Sequence, residues 1–175
     1  MSSVLLALVA LQAVPPPVEQ IAADCGYPVF ATDMLVCSDP VLRALDTRLR
    51  SPPAVPATPF LVESRAAWFK RNRRCAFETA HRECALVAYD EAIETAAALS
   101  SSPAAAGRCR LRSGEQVEFA TSGPDGVLMR DKRVIAYAKK ANRSWRPFLT
   151  LQRIGAKVPL RNLDGVAVAT CPATA

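Results

Sequence analysis

The chain of 175 residues is 50% apolar and 22% charged, so it is neither globally disordered nor long enough for a large multidomain assembly. Six cysteines and a single histidine favour disulfides over zinc binding or imidazole catalysis, and the formal net charge is +6.

The first feature along the chain is an apolar run at residues 4–13, interrupted only by Gln12 and followed by three prolines. The run is far shorter than the roughly 20 residues that a membrane-spanning helix needs. Its length and position are typical of a secretory signal peptide. We therefore predict a signal peptide and proline-rich leader over 1–23, no transmembrane segment, and a mature protein that is periplasmic or secreted, where disulfides persist.

From Cys25 to about Leu99 the apolar residues recur at helical spacing. Ser38-Asp39-Pro40 predicts the start of one helix, because Asp39 can cap free amides and proline suits the first helical position. A proline-rich connector follows, and a second helix is predicted from the spacing of Leu61, Arg65, Trp68 and Asn72. A third helix is predicted over about 83–99, with an apolar stripe of Leu86, Tyr89, Ile93 and Ala97.

Residues 100–107 are small residues and helix breakers, which predict a linker. Beyond it, the spacing is that of short strands with turns at Ser113-Gly114 and 123–126. The predicted strands are 110–112, 116–120, 127–130, 134–138, 148–154 and 166–171. The predicted fold is α+β in two small domains: a disulfide-bonded helical domain (24–99) and a small antiparallel β-sheet or barrel domain (108–175).

The cysteines divide in the same way. Cys109 and Cys171 lie at the two ends of the β half, so we predict that they form a disulfide that closes this domain. The other four cysteines lie in the helical half, and the sequence leaves their three possible connectivities open. They are Cys25, Cys37, Cys75 and Cys84.

Other chemistry for these residues is disfavoured. Cys75, His81 and Cys84 lack the close paired spacing of zinc ligands, and a Cys84 thiol activated by His81 would be consumed in an oxidising compartment. The sequence shows no nucleophile motif and no phosphate-binding loop. We therefore predict no catalytic residue, no metal, no cofactor and no enzymatic activity.

Residues 24 to about 98 carry an ordered pattern: Asp24-Cys25, Cys37-Ser38-Asp39-Pro40, Leu45-Asp46, Trp68-x-x-Arg71-Asn72-x-x-Cys75, and Cys84 before Tyr89. This pattern resembles the LprI-type lysozyme-inhibitor domain family, which consists of small exported bacterial helical domains with four cysteines. The resemblance implies a lysozyme-binding face, and its candidate residues are Asp46, Trp68, Arg71 and Asn72.

The same four residues also allow a purely structural interpretation. Trp68 can be a core residue, Asp46 can pair with Arg50 one turn later, and Arg71-Asn72 can simply end a helix. The sequence leaves both interpretations open.

The β half carries Arg108-Cys109, Gly114, Val117-x-Phe119 and the terminal Cys171. In this it is similar to the MliC-type inhibitors of c-type lysozyme, which are small disulfide-closed β-barrels. In that family a serine-containing segment and a Lys-Gly loop enter the lysozyme cleft. Ile154-Gly155 stands at the position of the Lys-Gly pair here, so the resemblance implies the barrel rather than the inhibitory loops.

Charge separates the two halves. Residues 25–100 contain nine Lys or Arg and nine Asp or Glu, whereas residues 109–175 contain twelve and five. Because c-type lysozymes are strongly basic, the neutral helical half is the better candidate for contact with the enzyme. The sequence thus favours a bacterial envelope protein that binds or inhibits lysozyme without catalysis.

The alternative is a basic envelope module that binds polyanions such as lipopolysaccharide or peptidoglycan, with nucleic acid disfavoured by export. Tyr137 and Trp145 interleave with its cations in the sequence, as in many anion-binding surfaces. The candidate cations are Arg130, Lys132, Arg133, Lys139, Lys140, Arg143 and Arg146. A structural or assembly role is the remaining possibility.

Overall fold

The computed structural model describes residues 19–50, 61–122, 124–141 and 144–173. The predicted signal peptide, the proline-rich connector at 51–60 and the candidate cation Arg143 therefore lie outside the described residues. Within these ranges, no helix is long and apolar enough to cross a membrane.

The first part of the chain is helical. The helices are α1 (Ala31–Ser38), α2 (Pro40–Leu49), α3 (Arg65–Asn72), a 3₁₀ helix (Arg73–Phe77) and α4 (His81–Leu99). The carboxylate of Asp39 accepts hydrogen bonds from the amides of Val41 and Leu42, at 2.9 and 3.1 Å, so α2 begins where the sequence predicts. The hydroxyl of Ser64 caps α3 by accepting from the amide of Ala67.

Helix α1 was not predicted. Its buried residues are Thr32, Asp33 and Val36, so two of the three side chains on its inner face are polar. An apolar stripe at helical spacing is therefore missing from its sequence, and the periodicity gives no signal.

The predicted apolar stripe of α4 is confirmed in part. Tyr89 is fully buried, and Leu86 and Ile93 pack against the helical core, whereas Ala97 is exposed. Ala85 and Ala88, which the predicted stripe did not include, are also fully buried. The alanines let neighbouring rings approach closely, and Tyr89 meets Trp68 edge-on at 5.1 Å between ring centroids.

Three disulfides hold the fold, and within the described ranges no cysteine is free. They join Cys25 to Cys37, Cys75 to Cys84 and Cys109 to Cys171. The first ties the segment before α1 to the last turn of α1, and the second ties the 3₁₀ helix to the first turn of α4. The third is the predicted bridge, and it joins the first strand to the last.

The second part of the chain is a closed seven-stranded barrel in chain order. Its strands are β1 (Gly107–Leu111), β2 (Gln116–Ser122), β3 (Asp125–Arg130), β4 (Arg133–Lys140), β5 (Thr150–Leu151), β6 (Lys157–Arg161) and β7 (Ala167–Pro172). All neighbouring strands are antiparallel except β4 and β5, which are parallel, so the expectation of a purely antiparallel sheet is wrong at this pair.

Two strands differ from prediction. β5 has two residues where the sequence predicted seven, and β6 was not predicted. Pro159 in the middle of β6 argues against a strand in any sequence interpretation, because proline cannot donate to a ladder.

The helical segment packs directly on the barrel. Ala98 and Leu99, at the end of α4, contact the outer face of strands β2 to β4, where Met129, Val134 and Tyr137 are buried. The α+β class and the barrel are thus observed. The division into two domains stays a prediction, because the two segments share this packing.

Candidate functional site

The four residues predicted to contact a partner lie in the interior of the helical segment. Asp46, Trp68, Arg71 and Asn72 are each at most 9% exposed. Trp68 packs in the helical core and donates its indole N–H to the carbonyl of Ala88 at 3.2 Å. These residues therefore serve packing and internal contacts in the structure. A partner could contact them only if the helices around them moved apart.

Asp46 shows the structural role most clearly. Its carboxylate accepts the phenol hydrogen of Tyr89 at 2.9 Å and forms ion pairs with Arg50 at 3.0 Å and Arg65 at 3.5 Å. Burial, and then the negative charge of Asp46, raise the pKa of Tyr89 far above its ordinary value. The phenol consequently stays protonated and remains a donor.

Arg71 is the centre of a second buried group. Its Nη2 lies 2.5 Å from Glu63 and 3.0 Å from Glu91, and its Nη1 donates to the carbonyl of Arg146 at 2.7 Å. The guanidinium also lies 4.2 Å from the ring centroid of Trp145. Burial raises the pKa of Glu63 against the opposing effect of Arg71.

Glu91 extends this group to the segment between β4 and β5. Its carboxylate accepts the indole N–H of Trp145 at 2.5 Å and the amide of Phe148 at 2.6 Å. We call Glu63, Arg71, Glu91 and Trp145 the Glu91 network. It fastens the helices to the polypeptide that leads into β5.

Sequence reasoning missed Glu91. A signal was present, since Glu91 follows Cys84 and Ala88 at helical spacing and so lies on the buried face of α4. A buried acidic residue needs hydrogen-bond donors, and those of Glu91 lie 20 to 57 residues away in the chain. The sequence around Glu91 therefore does not show which residues would bind its carboxylate.

The side-chain amide of Asn72 is fully buried and has no hydrogen-bond partner within the described ranges. It offers no contact to a partner at the surface. No chemistry follows from it in this conformation.

The predicted polyanion-binding cations do not form one surface. Arg130, Lys132 and Arg133 lie at the turn between β3 and β4, where Arg130 pairs with Glu115 at 2.7 Å. The described remainder lies at the other end of β4 or after it, and the two residues at that end are about 20 Å from the turn at 3.3 Å per residue. This remainder consists of Lys139, Lys140 and Arg146.

The aromatic residues that interleave with these cations are buried, so the expected alternation of exposed rings and charges is wrong. Trp145 belongs to the Glu91 network. The phenol of Tyr137 donates to Asp125 at 2.7 Å, and burial together with Asp125 raises its pKa far above the ordinary value. Lys139 is itself ion-paired with Glu94.

A different basic row was missed by sequence reasoning. Arg108, Arg110 and Arg112 are exposed, while Cys109 and Leu111 between them are buried. The signal was the strict alternation Arg-Cys-Arg-Leu-Arg, which places all three arginines on the outer face of β1 and its continuation. We call these three residues the β1 arginine row.

Exposed apolar side chains concentrate on the helical segment. Of eight large apolar side chains exposed within the described ranges, seven lie between residues 21 and 77. Tyr27, Val29, Phe30 and Met34 lie closest together in the chain, and we call them the α1 surface. The guanidinium of Arg73 lies over the ring of Phe30, 3.6 Å from its centroid. Phe30 and Met34 are one helical turn apart, and the adjacent Cys25–Cys37 disulfide anchors the segment.

His81 is part of the helical packing. Its Nε2 lies 3.2 Å from the hydroxyl of Thr32 in α1, and burial lowers its pKa. Cys75 and Cys84 are bonded to each other, so neither is a free thiol or a metal ligand. Within the described ranges, no cluster of His, Cys, Asp or Glu has the arrangement of a metal site.

Comparison of the chain with protein-family models, with curated proteins and with solved structures found no match.

Proposed function

We propose that this protein is an exported, non-catalytic lysozyme-binding protein of the bacterial envelope, and that it inhibits the enzyme by binding it through the α1 surface. The partner is the one implied by the resemblance of residues 24 to about 98 to the LprI-type domains. The observation that supports the α1 surface as the contact is the exposure of Tyr27, Val29, Phe30 and Met34 on one disulfide-anchored segment. Aromatic residues and methionine are enriched in protein interfaces. Clustered exposed apolar side chains commonly mark a binding site.

Charge supports the helical segment as the contact. It is neutral over residues 25–100, and the exposed carboxylates of Glu19 and Asp24 precede the α1 surface in the chain. The barrel carries the excess of positive charge, which would repel a basic enzyme. A basic lysozyme is therefore expected to approach the helices and not the strands.

Export is supported by the three disulfides, because such bonds persist in oxidising compartments. The apolar run at residues 4–13 supplies the sequence argument for a signal peptide. A periplasmic or secreted protein would meet lysozyme outside the cytoplasm.

The proposal is tested by a lysozyme lysis assay on bacterial cell walls, with the purified mature protein as titrant. Wild type is expected to slow lysis, and isothermal calorimetry is expected to show direct binding. The Tyr27→Ser/Met34→Ser double variant is expected to raise the half-inhibitory concentration about tenfold or more, as loss of an interface anchor does. Both side chains are more than half exposed, so folding is expected to be unaffected.

The matched control is Ile154→Ser, which removes an apolar side chain of similar exposure, 53%, from the barrel. It is expected to inhibit as wild type does. Equal loss in the control and the double variant would contradict the proposed contact. Absence of both inhibition and binding at excess wild-type protein would contradict the function itself.

A further inference from the structure

The face formed by β1, β7 and β6 carries cations without carboxylates. These three adjacent strands contain no aspartate or glutamate. The β1 arginine row lies on β1 and its continuation, and Lys157 is exposed at the start of β6. We propose that the β1 arginine row binds a linear polymer with phosphate groups along its chain. This activity is independent of the proposed lysozyme contact.

The row is rigidly placed. Alternate residues of a strand project from the same face, about 6.8 Å apart. Between the arginines, the side chains of Cys109 and Leu111 are buried in the barrel, and Cys109 is covalently bound to Cys171 on β7. The three guanidinium groups are thus carried in a line by a backbone that is fixed on both sides.

The guanidinium groups are free of partners within the protein. Over the described ranges, none of Arg108, Arg110 and Arg112 forms an ion pair or a side-chain hydrogen bond, unlike Arg130, which pairs with Glu115. Glu118 is opposite Arg108 on β2, yet the two form no ion pair. Arg110 faces uncharged residues on both neighbouring strands, Gln116 and Thr170.

The chemistry of the row favours phosphate. The planar fork of arginine can donate two parallel hydrogen bonds to a phosphate group. A single line of such forks suits successive phosphates of an extended chain.

A lipid surface fits this face less well. Proteins that bind in the membrane interface also insert apolar side chains. Within the described part of the barrel, the only large apolar side chain that is exposed is Ile154, in the turn before β6. The row therefore lacks the apolar contact that a membrane partner would use.

The test is binding of the purified protein to inorganic polyphosphate of defined length, measured by calorimetry over a series of salt concentrations. The logarithm of the binding constant falls as the logarithm of the salt concentration rises. For the Arg108→Gln/Arg110→Gln/Arg112→Gln variant, the slope of this relationship is expected to be less negative by about 2 to 3. At about 150 mM salt the affinity is expected to fall on the order of tenfold to a hundredfold. Replacing all three arginines by lysine is expected to retain most of the slope with weaker affinity.

The matched control is Arg130→Gln/Lys132→Gln/Arg133→Gln, which removes the same charge from the turn between β3 and β4. It is expected to retain most of the affinity, and circular dichroism checks that each variant is folded. Equal losses in the two triple glutamine variants would overturn the proposal, because they would indicate attraction by net charge alone. Binding to vesicles of phosphatidylglycerol in phosphatidylcholine, without binding to polyphosphate, would also overturn it.

Discussion

At the scale of single residues, buried charges are the clearest feature of this protein. Glu91 is 4% exposed and accepts hydrogen bonds from Arg71, Trp145 and Phe148. Burying a carboxylate is costly unless hydrogen-bond donors and a countercharge replace the water that it loses. These three donors explain why α4 tolerates an acidic residue beside Ala88 on its inner face.

Replacing Glu91 by glutamine is expected to lower the free energy of unfolding by about 2 to 4 kcal/mol. The substitution removes the negative charge that accepts hydrogen bonds from Arg71 and Trp145. The side-chain NH₂ group of glutamine would also face an N–H donor of Arg71, Trp145 or Phe148 where the carboxylate now accepts. Urea denaturation followed by circular dichroism measures the effect.

The control for this substitution is Glu94→Gln, one turn later on α4. The side chain of Glu94 is 45% exposed, pairs with Lys139 and accepts the phenol hydrogen bond of Tyr137 at 3.1 Å. Because Tyr137 also donates to Asp125, the loss of the Glu94 charge is expected to cost less than about 1 kcal/mol. If Glu91→Gln were no more destabilising than Glu94→Gln, the Glu91 network would not hold the helices to the barrel.

At the scale of secondary-structure elements, the barrel closes because β1 pairs with β7 and a disulfide joins the same two strands. Cys109 and Cys171 are 62 residues apart, whereas Cys25 and Cys37 are 12 apart. Closing a longer loop removes more entropy from the unfolded chain. The barrel bridge is therefore expected to stabilise the fold more than the bridge at α1.

The Cys109→Ser/Cys171→Ser variant is expected to lose about 4 kcal/mol of stability, and Cys25→Ser/Cys37→Ser about 3 kcal/mol. Equilibrium urea denaturation of both double variants and the wild type gives the comparison. A smaller loss for the barrel pair than for the α1 pair would contradict this expectation. It would indicate that β1 and β7 already lie close together in the unfolded chain when the bridge is absent.

At the scale of the whole molecule, pH is expected to act through one group near neutrality, because the chain has a single histidine. Burial lowers the pKa of His81 below its ordinary value of 6.5. The unfolded state then binds the proton more readily than the folded state, so the free energy of unfolding rises with pH across this interval. The contribution of His81 is complete above about pH 6.5 and is lost as the pH falls below it.

The His81→Gln variant is expected to remove this dependence. Between pH 7.5 and 5, Tm of the wild type is expected to fall more than Tm of the variant, as measured by differential scanning calorimetry in matched buffers. The carboxylates titrate in both proteins, so the difference isolates the imidazole. If Tm changed with pH in parallel for the two proteins, the pKa of His81 would be the same in the folded and unfolded states, which would contradict the prediction.

Several features followed from the sequence alone because their physical causes are local. Asp39 and Pro40 start α2 through the adjacent amides, and alternation of apolar and polar residues specifies β2. The position of Cys109 and Cys171 at the two ends of the β half predicted their bridge. Each of these signals is contained within a few neighbouring residues or in the order of the cysteines.

Only the tertiary structure decided which polar residues are buried and which cations are paired with carboxylates. Asp46 and Arg71 carried the family resemblance, yet packing against Tyr89 and Trp145 makes them interior residues. The described cations chosen from the sequence lie at or beyond the two ends of β4. The alternation in the sequence places the β1 arginine row on one face, but only the structure shows that, over the described ranges, its guanidinium groups form no ion pair. Burial and pairing depend on segments that are distant in sequence, so local periodicity could not determine them.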